Sequence, residues 1–404
     1  MAETMTTRTR LSVLLISTPL LAFIVFGGIL GKVSAGGDQT FQHLRIFEDV
    51  VSLILNNYVE DAKVDKVMEG AMRGLADGLD PDSAYLTAAE VKDLQASGPC
   101  VSLLPEACKA TGVGDVGIEL TRQYYLRVIA ARDDSPAAKA GLQTGDYVRA
   151  IDGKPARDLS VFEGMRLLRG APGTKVKVTV MRGGAAEPHV IELAREATPA
   201  ADVNGRMESG SVGYLRVASI GAKTADAAKS QAGDLVKNGA STIVVDVRRT
   251  SGGSPENGLA LARVFVGQGT LAMREARGSA RETIPARTSD GAISQPVIIL
   301  IDNGTSGAAE LFAAALSGNK RAELIGERTI GRAAEQRLIK LPDGTGLWLT
   351  TTRYLMPDGS ALHEKGLEPA VPVAEPEVDF GQTPPPGDPI LEKALERATQ
   401  KKAA

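Results

Sequence analysis

The chain is predicted to be a multidomain α/β protein: a membrane anchor or signal segment, then N-terminal helices, a β-rich domain with short helices, and an α/β core. Three observations carry that expectation. Apolar residues recur at helical spacing from Phe41 to Leu79, and short alternating runs with glycine turns follow from Gly112 to about Ala194. After Gly205, unbroken apolar runs such as Thr242–Val247 alternate with helical stretches, the texture of strands buried on both faces. With 404 residues the chain has room for two or three domains, and a net charge of -3 points away from a nucleic-acid partner.

The first segment, residues 1–37, reads as a targeting element. Arg8 and Arg10 precede an apolar run from Leu11 to Gly31, and Val33-Ser34-Ala35 offers a small-residue cleavage site. A run of about 20 residues is long for a signal peptide and matches a membrane span. An uncleaved anchor is therefore expected, with cleavage after Ala35 as the alternative; either way the body is exported to the cell envelope, periplasmic or extracytoplasmic, and is membrane-anchored or secreted. Cys100 and Cys108 fit such a location, as a disulfide or as two separate thiols. His43, His189 and His363 lie far apart, so no metal site and no cofactor are expected.

Residues 38–97 form the helical region. Phe41 to Asn57 and Val64 to Leu79 read as amphipathic helices, Asp80-Pro81-Asp82-Ser83 breaks the pattern, and Thr87 with Glu90 forms a capping box. Residues 98–111 are a cysteine-containing linker. In the β-rich domain, 112–196, Gly114-Asp115-Val116-Gly117-Ile118 turns into an alternating strand, and Val161 to Leu168 is a helix. The core, 205–373, opens with strand Val212–Val217 and helix Thr224–Lys237. Strand Pro296–Asp302 then runs into helix Ala308–Leu316, ended by Gly318, and strands Leu338–Leu341 and Leu347–Tyr354 flank the Pro342-Asp343-Gly344 turn. The tail, 374–404, is rich in proline and charge, so loose order is expected there apart from a short helix at Asp388–Ala398.

The segment Ile298-Ile299-Leu300-Ile301-Asp302-Asn303-Gly304-Thr305-Ser306-Gly307-Ala308-Ala309-Glu310, followed by Gly326-Glu327-Arg328-Thr329-Ile330-Gly331-Arg332, resembles the core motif of the C-terminal processing peptidases, or tail-specific proteases. Lys365-Gly366-Leu367-Glu368-Pro369 matches that family's closing motif. Ser135-Pro136-Ala137-Ala138-Lys139-Ala140-Gly141-Leu142 and Gly145-Asp146 resemble a PDZ domain. The resemblance implies a serine nucleophile at position 307 and a lysine base at 332, where this chain has Gly307 and Arg332. It also implies that Gln336 orients the base, that Glu310 is the glutamate of the serine motif, and that Gly252, Gly253 and Ala308 form the oxyanion hole.

Glycine carries no nucleophile, and arginine, with a pKa above about 12, is no base in a protein. Peptide hydrolysis is therefore expected to be lost. Binding of protein C-terminal peptides is expected to remain, with Gly114, Asp115, Val116, Gly117 and Ile118 presenting backbone amides to the carboxylate and Ile118–Thr121 as the edge strand. Two alternatives stand beside it: an active serine endopeptidase using Ser306 as a shifted nucleophile, or a homo- or hetero-oligomeric partner regulating an active paralogue. Ser306 is otherwise the N-cap of the following helix. For Arg332 the expectations are a solvated side chain in a glycine-flanked loop, an ion pair with Glu310, Glu327 or Glu335, or contact with a bound anion.

Overall fold

The computed structural model describes residues 41–96, 113–183, 187–197, 203–376, 378–382 and 385–403. The anchor or signal segment and both cysteines, Cys100 and Cys108, lie outside the described residues. The chain divides into two compact units, Met1–Gly74 and Leu75–Ala404. In the first, residues 41–57 are helical and the helix Val64–Asp77 begins, as the apolar spacing predicts. No helix among the described residues is long and apolar enough to cross a membrane.

The second unit starts with a turn that places one acidic side chain. Asp80 accepts from the N–H groups of Asp82 (2.8 Å) and Ser83 (2.7 Å) and from the Ser83 hydroxyl (2.8 Å). Strand β1 (Ala84–Leu86) and the helix Ala88–Ala96 follow. The predicted capping box is present: Thr87 N–H donates to Glu90 at 2.9 Å, and Glu90 N–H donates to the Thr87 hydroxyl at 3.4 Å.

Residues 114–197 form the β-rich domain. Its strands are β2 (Gly114–Asp115), β3 (Ile118–Gln123), β4 (Tyr125–Ala131), β5 (Tyr147–Ile151), β6 (Lys154–Pro155), β7 (Lys175–Met181), β8 (His189–Ala194) and β9 (Glu196–Ala197). The main sheet runs β3-β4-β5-β7-β8, which leaves β3 at an edge. Alternation sets its faces: Val176, Val178 and Val180 of β7 are buried, whereas Lys175 and Lys177 between them are exposed. The helix Val161–Leu168, predicted to the residue, lies against β3. Ser160 and Glu163 close its first turn with reciprocal bonds of 2.8 and 3.1 Å.

The core sheet contains β10 (Val203–Glu208), β11 (Val212–Val217), β12 (Thr242–Asp246), β15 (Val297–Ile301), β16 (Ala322–Gly326) and β19 (Val371–Pro372), in that order. All pairs after the β10 edge are parallel. The four central strands, β11, β12, β15 and β16, divide their side chains between two cores. Leu215, Val217, Ile243, Val245, Ile299 and Ile301 meet the helices Thr224–Lys237, Pro255–Phe265 and Ala308–Gly318. Tyr214, Val244, Ile298 and Leu300 meet Ile390, Ala394 and Ala398 of the C-terminal helix Pro389–Ala403. Cover on both faces is why these strands read as unbroken apolar runs. A second sheet joins β1 to β18 (Gly346–Leu355), β13 (Thr270–Ala276) and β14 (Glu282–Pro285), with β17 (Ala334–Lys340) also on β18.

Three expectations need correction. Gly318 is the last helical residue, and Asn319 caps the helix with its amide on Ala315 and Thr270 carbonyls. Strand β17 begins at Ala334, four residues before the expected start, because it pairs with β18 through the polar run Glu335-Gln336-Arg337. The described part of the tail is anchored. Arg248, 5% exposed, pairs with Glu375 and Asp388, Phe380 stacks on His189 with ring centroids 4.3 Å apart, and the terminal helix runs on to Ala403.

Candidate functional site

Ligands of parallel α/β sheets bind beyond the carboxyl ends of the strands, and here the loops after β12, β15 and β16 meet at that end. Asp246, at the end of β12, is held well below the usual carboxylate range: burial pushes it up, but Arg248 and Arg216 outweigh that. After β15, Asp302 accepts from Arg249 N–H at 2.9 Å, and the Thr305 hydroxyl lies 2.9 Å from the Val247 carbonyl. These bonds tie the two loops together and fix the turn that follows.

Gly307 adopts φ 61° and ψ -117° and immediately precedes the helix Ala308–Gly318. The positive φ suits glycine, yet the space around it is open. A Cβ built there would lie 3.7 Å from Gly252 O and 4.0 Å from Arg332 O, which are ordinary contacts. The position thus keeps the shape of a strand–turn–helix nucleophile seat with no side chain in it. Ser306, the shifted-nucleophile candidate, is 1% exposed; its hydroxyl is 2.5 Å from that of Ser251, and its N–H donates to Thr250 O at 3.1 Å. Nor is its side chain the helix cap. That role falls to Glu310, which accepts from Gly307 N–H at 3.1 Å.

Glu310 is fully buried and fastens the loop after β16 to the loop after β15. It accepts from the Thr329 hydroxyl and from the N–H groups of Gly331 and Arg332, both at 2.7 Å. Burial raises its pKa, opposed by these donors. Gly252 and Gly253, at φ 80° and 81°, complete the floor of the cleft. A Cβ on Gly253 would sit 2.3 Å from the Ile220 carbonyl oxygen, so only glycine fits. Ala308 opens its helix, and its N–H has no place in the helical ladder. The three residues expected as the oxyanion hole therefore border one cleft together with Gly307, Arg332 and Gln336.

The base position is where the structure departs from expectation. The Arg332 side chain is paired with none of Glu310, Glu327 or Glu335. It forks onto Asp82 of the N-terminal turn, with Nε 3.0 Å from Oδ2 and Nη2 on Oδ1, and Nη1 donates to the Leu120 carbonyl of β3 at 3.1 Å. Burial lowers its affinity for the proton, but Asp82 more than restores it, so the group is held above the ordinary arginine range. It is a spent cation, already neutralised, and the expected contact with a bound anion has no free guanidinium to make it. Gln336 borders the cleft but donates to the Thr350 hydroxyl at 3.1 Å rather than to residue 332.

The expected carboxylate loop is also partly occupied. Gly114 N–H donates to Gly170 O at 2.7 Å, Gly117 N–H donates to Asp115 Oδ1 at 2.8 Å, and Val116 is fully buried. Asp115 in turn is paired with Arg132 at 3.1 Å. Gly117 and Ile118 do border a narrow pocket with Met165 and Leu168 of the flanking helix, and Arg249 and Ser251 of the core reach its other side.

Glu119 borders both the pocket and the cleft. Burial raises its pKa from 4.5 to about 7, against the pull of Arg169 and Arg332. The folded state therefore holds the proton more tightly than the unfolded chain. Its stabilising contribution is complete below about pH 4.5 and lost as pH rises through about 7, a change on the order of 2 to 3 kcal/mol. Chemical denaturation between about pH 5 and pH 8 should show Glu119→Gln losing less stability than the wild type by that amount; superimposable curves would contradict the assignment.

Comparison with known proteins agrees with the domain organisation. The profile of peptidase family S41 matches residues 211–373, and that of the PDZ domain matches residues 114–193. A carboxy-terminal-processing protease of Bartonella bacilliformis is 30% identical over 354 residues, covering 85% of this chain and 78% of that protein. The carboxy-terminal processing protease CtpA of Bacillus subtilis is 29% identical, covering 88% and 73%. Among solved structures, a photosystem II D1 C-terminal processing protease aligns with a TM-score of 0.66 and 25% identity, over 81% of this chain and 92% of that one.

Proposed function

The chain belongs to the carboxy-terminal-processing peptidases of family S41 and carries a PDZ domain, and on that premise we propose that it captures the C-terminal ends of unfolded or processed proteins without hydrolysing them. One observation carries this reading. The nucleophile seat holds Gly307, and the base position holds a guanidinium fixed by Asp82. Neither group can begin an acyl transfer. The pocket between β3 and the helix Val161–Leu168 is lined by Ile118, Met165 and Leu168, which suits an apolar terminal side chain. The Arg8/Arg10 n-region and the apolar run after it support a location for this work in the cell envelope, at or near a membrane.

The test is fluorescence anisotropy with a labelled peptide ending in an apolar residue, compared with its C-terminal amide. The free carboxylate should bind and amidation should weaken binding by roughly tenfold or more, the size of one charge-assisted hydrogen bond. Equal binding of the two forms would remove the C-terminus from the reading.

A further inference from the structure

The groove strand and the base position, 212 residues apart in sequence, share one bond: Arg332 Nη1 to the carbonyl of Leu120. Strand β3 is the edge of its sheet, and a peptide adding to it would use the backbone groups of Ile118–Gln123. One of those acceptors is already taken. The amide of Gly117, at the carboxylate end of the same groove, is likewise held by the protein's own Asp115. From the core, Arg249, Ser251 and Gly253 border the pocket opposite Ile118, Met165 and Leu168. Two backbone groups along the groove are thus already engaged by the protein itself.

We propose that Arg332 is a latch: anchored on Asp82, it holds β3 against the protease-like core and keeps the PDZ groove closed until an incoming peptide strand displaces it from Leu120. This rests on the reading that the PDZ groove is the peptide site. Its substance is that the residue replacing a catalytic base has become a regulator of binding. Several features support it. The anchor is strong, because the fork onto Asp82 is bidentate and only 14% and 5% of the two side chains are exposed. The link to β3 is weaker, a single bond to a neutral carbonyl, so it is the part that yields. Glu119, next along the strand, also interacts electrostatically with Arg332, so movement of β3 is felt at the same guanidinium.

A closed state that must open lowers apparent affinity by the fraction of molecules open. Removing the latch should therefore tighten peptide binding, which is the reverse of what losing a ligand-binding arginine does. The experiment is anisotropy with the same free-carboxylate peptide on the full chain, comparing wild type with Arg332→Met. Because Arg332→Met leaves Asp82 buried and unpaired, the double variant Asp82→Asn/Arg332→Met is measured beside it. Both variants are expected to bind roughly tenfold more tightly than wild type, the worth of the lost bond. If all three bind alike, or the variants bind more weakly, the latch is wrong and the groove reading stands. If none binds, both the latch and the groove reading fall.

Discussion

The triple variant Gly307→Ser/Arg332→Lys/Asp82→Asn is expected to hydrolyse a peptide that the wild type leaves intact. The first change is geometrically permitted, since a Cβ at position 307 meets nothing closer than 3.7 Å. The residue would keep a positive φ, a strain of order 1 kcal/mol that nucleophile turns commonly carry. The second change supplies an amine, but the amine alone is not enough. Asp82 stands where it now grips Arg332 through two oxygens, and a carboxylate beside a lysine keeps it protonated and useless as a base. The double variant Gly307→Ser/Arg332→Lys should therefore stay near the wild-type rate, and the third change should release activity. Loss of a serine nucleophile or its base costs on the order of 10⁶ in kcat, so even partial recovery should exceed wild type by roughly 10²-fold or more. Initial rates on a fluorogenic peptide decide this. A double variant as active as the triple would show that Asp82 does not control the charge at position 332.

Asp82→Ala is expected to be among the most destabilising single changes in the chain. It removes the carboxylate that, among the described residues, is ion-paired with Arg332, and leaves a mostly buried guanidinium with one carbonyl partner. Breaking a buried pair from one side costs about 3–5 kcal/mol, because the remaining charge is uncompensated. Replacing both partners with uncharged groups avoids that penalty. The variant Asp82→Asn/Arg332→Met should accordingly lie within about 1.5 kcal/mol of wild type by urea denaturation, well above Asp82→Ala. A loss below about 1 kcal/mol for Asp82→Ala would mean that solvent reaches the pair and that it is an ordinary surface bridge.

The residues that carry this account differ in how far the sequence discloses them. The helices Val161–Leu168 and Thr224–Lys237 and strand Val212–Val217 match their observed bounds, because amphipathic spacing and turn chemistry are local properties. The seat at Gly307 and the pair Gly252-Gly253 were legible through the motif they sit in. Asp82 was not. It lies in an Asp-Pro-Asp-Ser break whose local chemistry explains only Asp80, and its partner is 250 residues away. Glu119 likewise reads as the polar half of an alternating strand; burial between domains makes it unusual, and spacing carries no trace of that. The polar start of β17 and the anchored tail escaped for the same reason. Strand pairing with β18 and the Arg248 and His189 contacts are tertiary, and they override a composition that suggests loop.

The central claim is capture without cleavage, and mass spectrometry of peptide incubated with saturating wild-type protein tests it directly. The account predicts that a free-carboxylate peptide with an apolar end is bound and recovered whole over hours, with Ser306→Ala indistinguishable from wild type. Fragments from the wild type that vanish in Ser306→Ala would contradict it and move the nucleophile to the residue beside the empty seat.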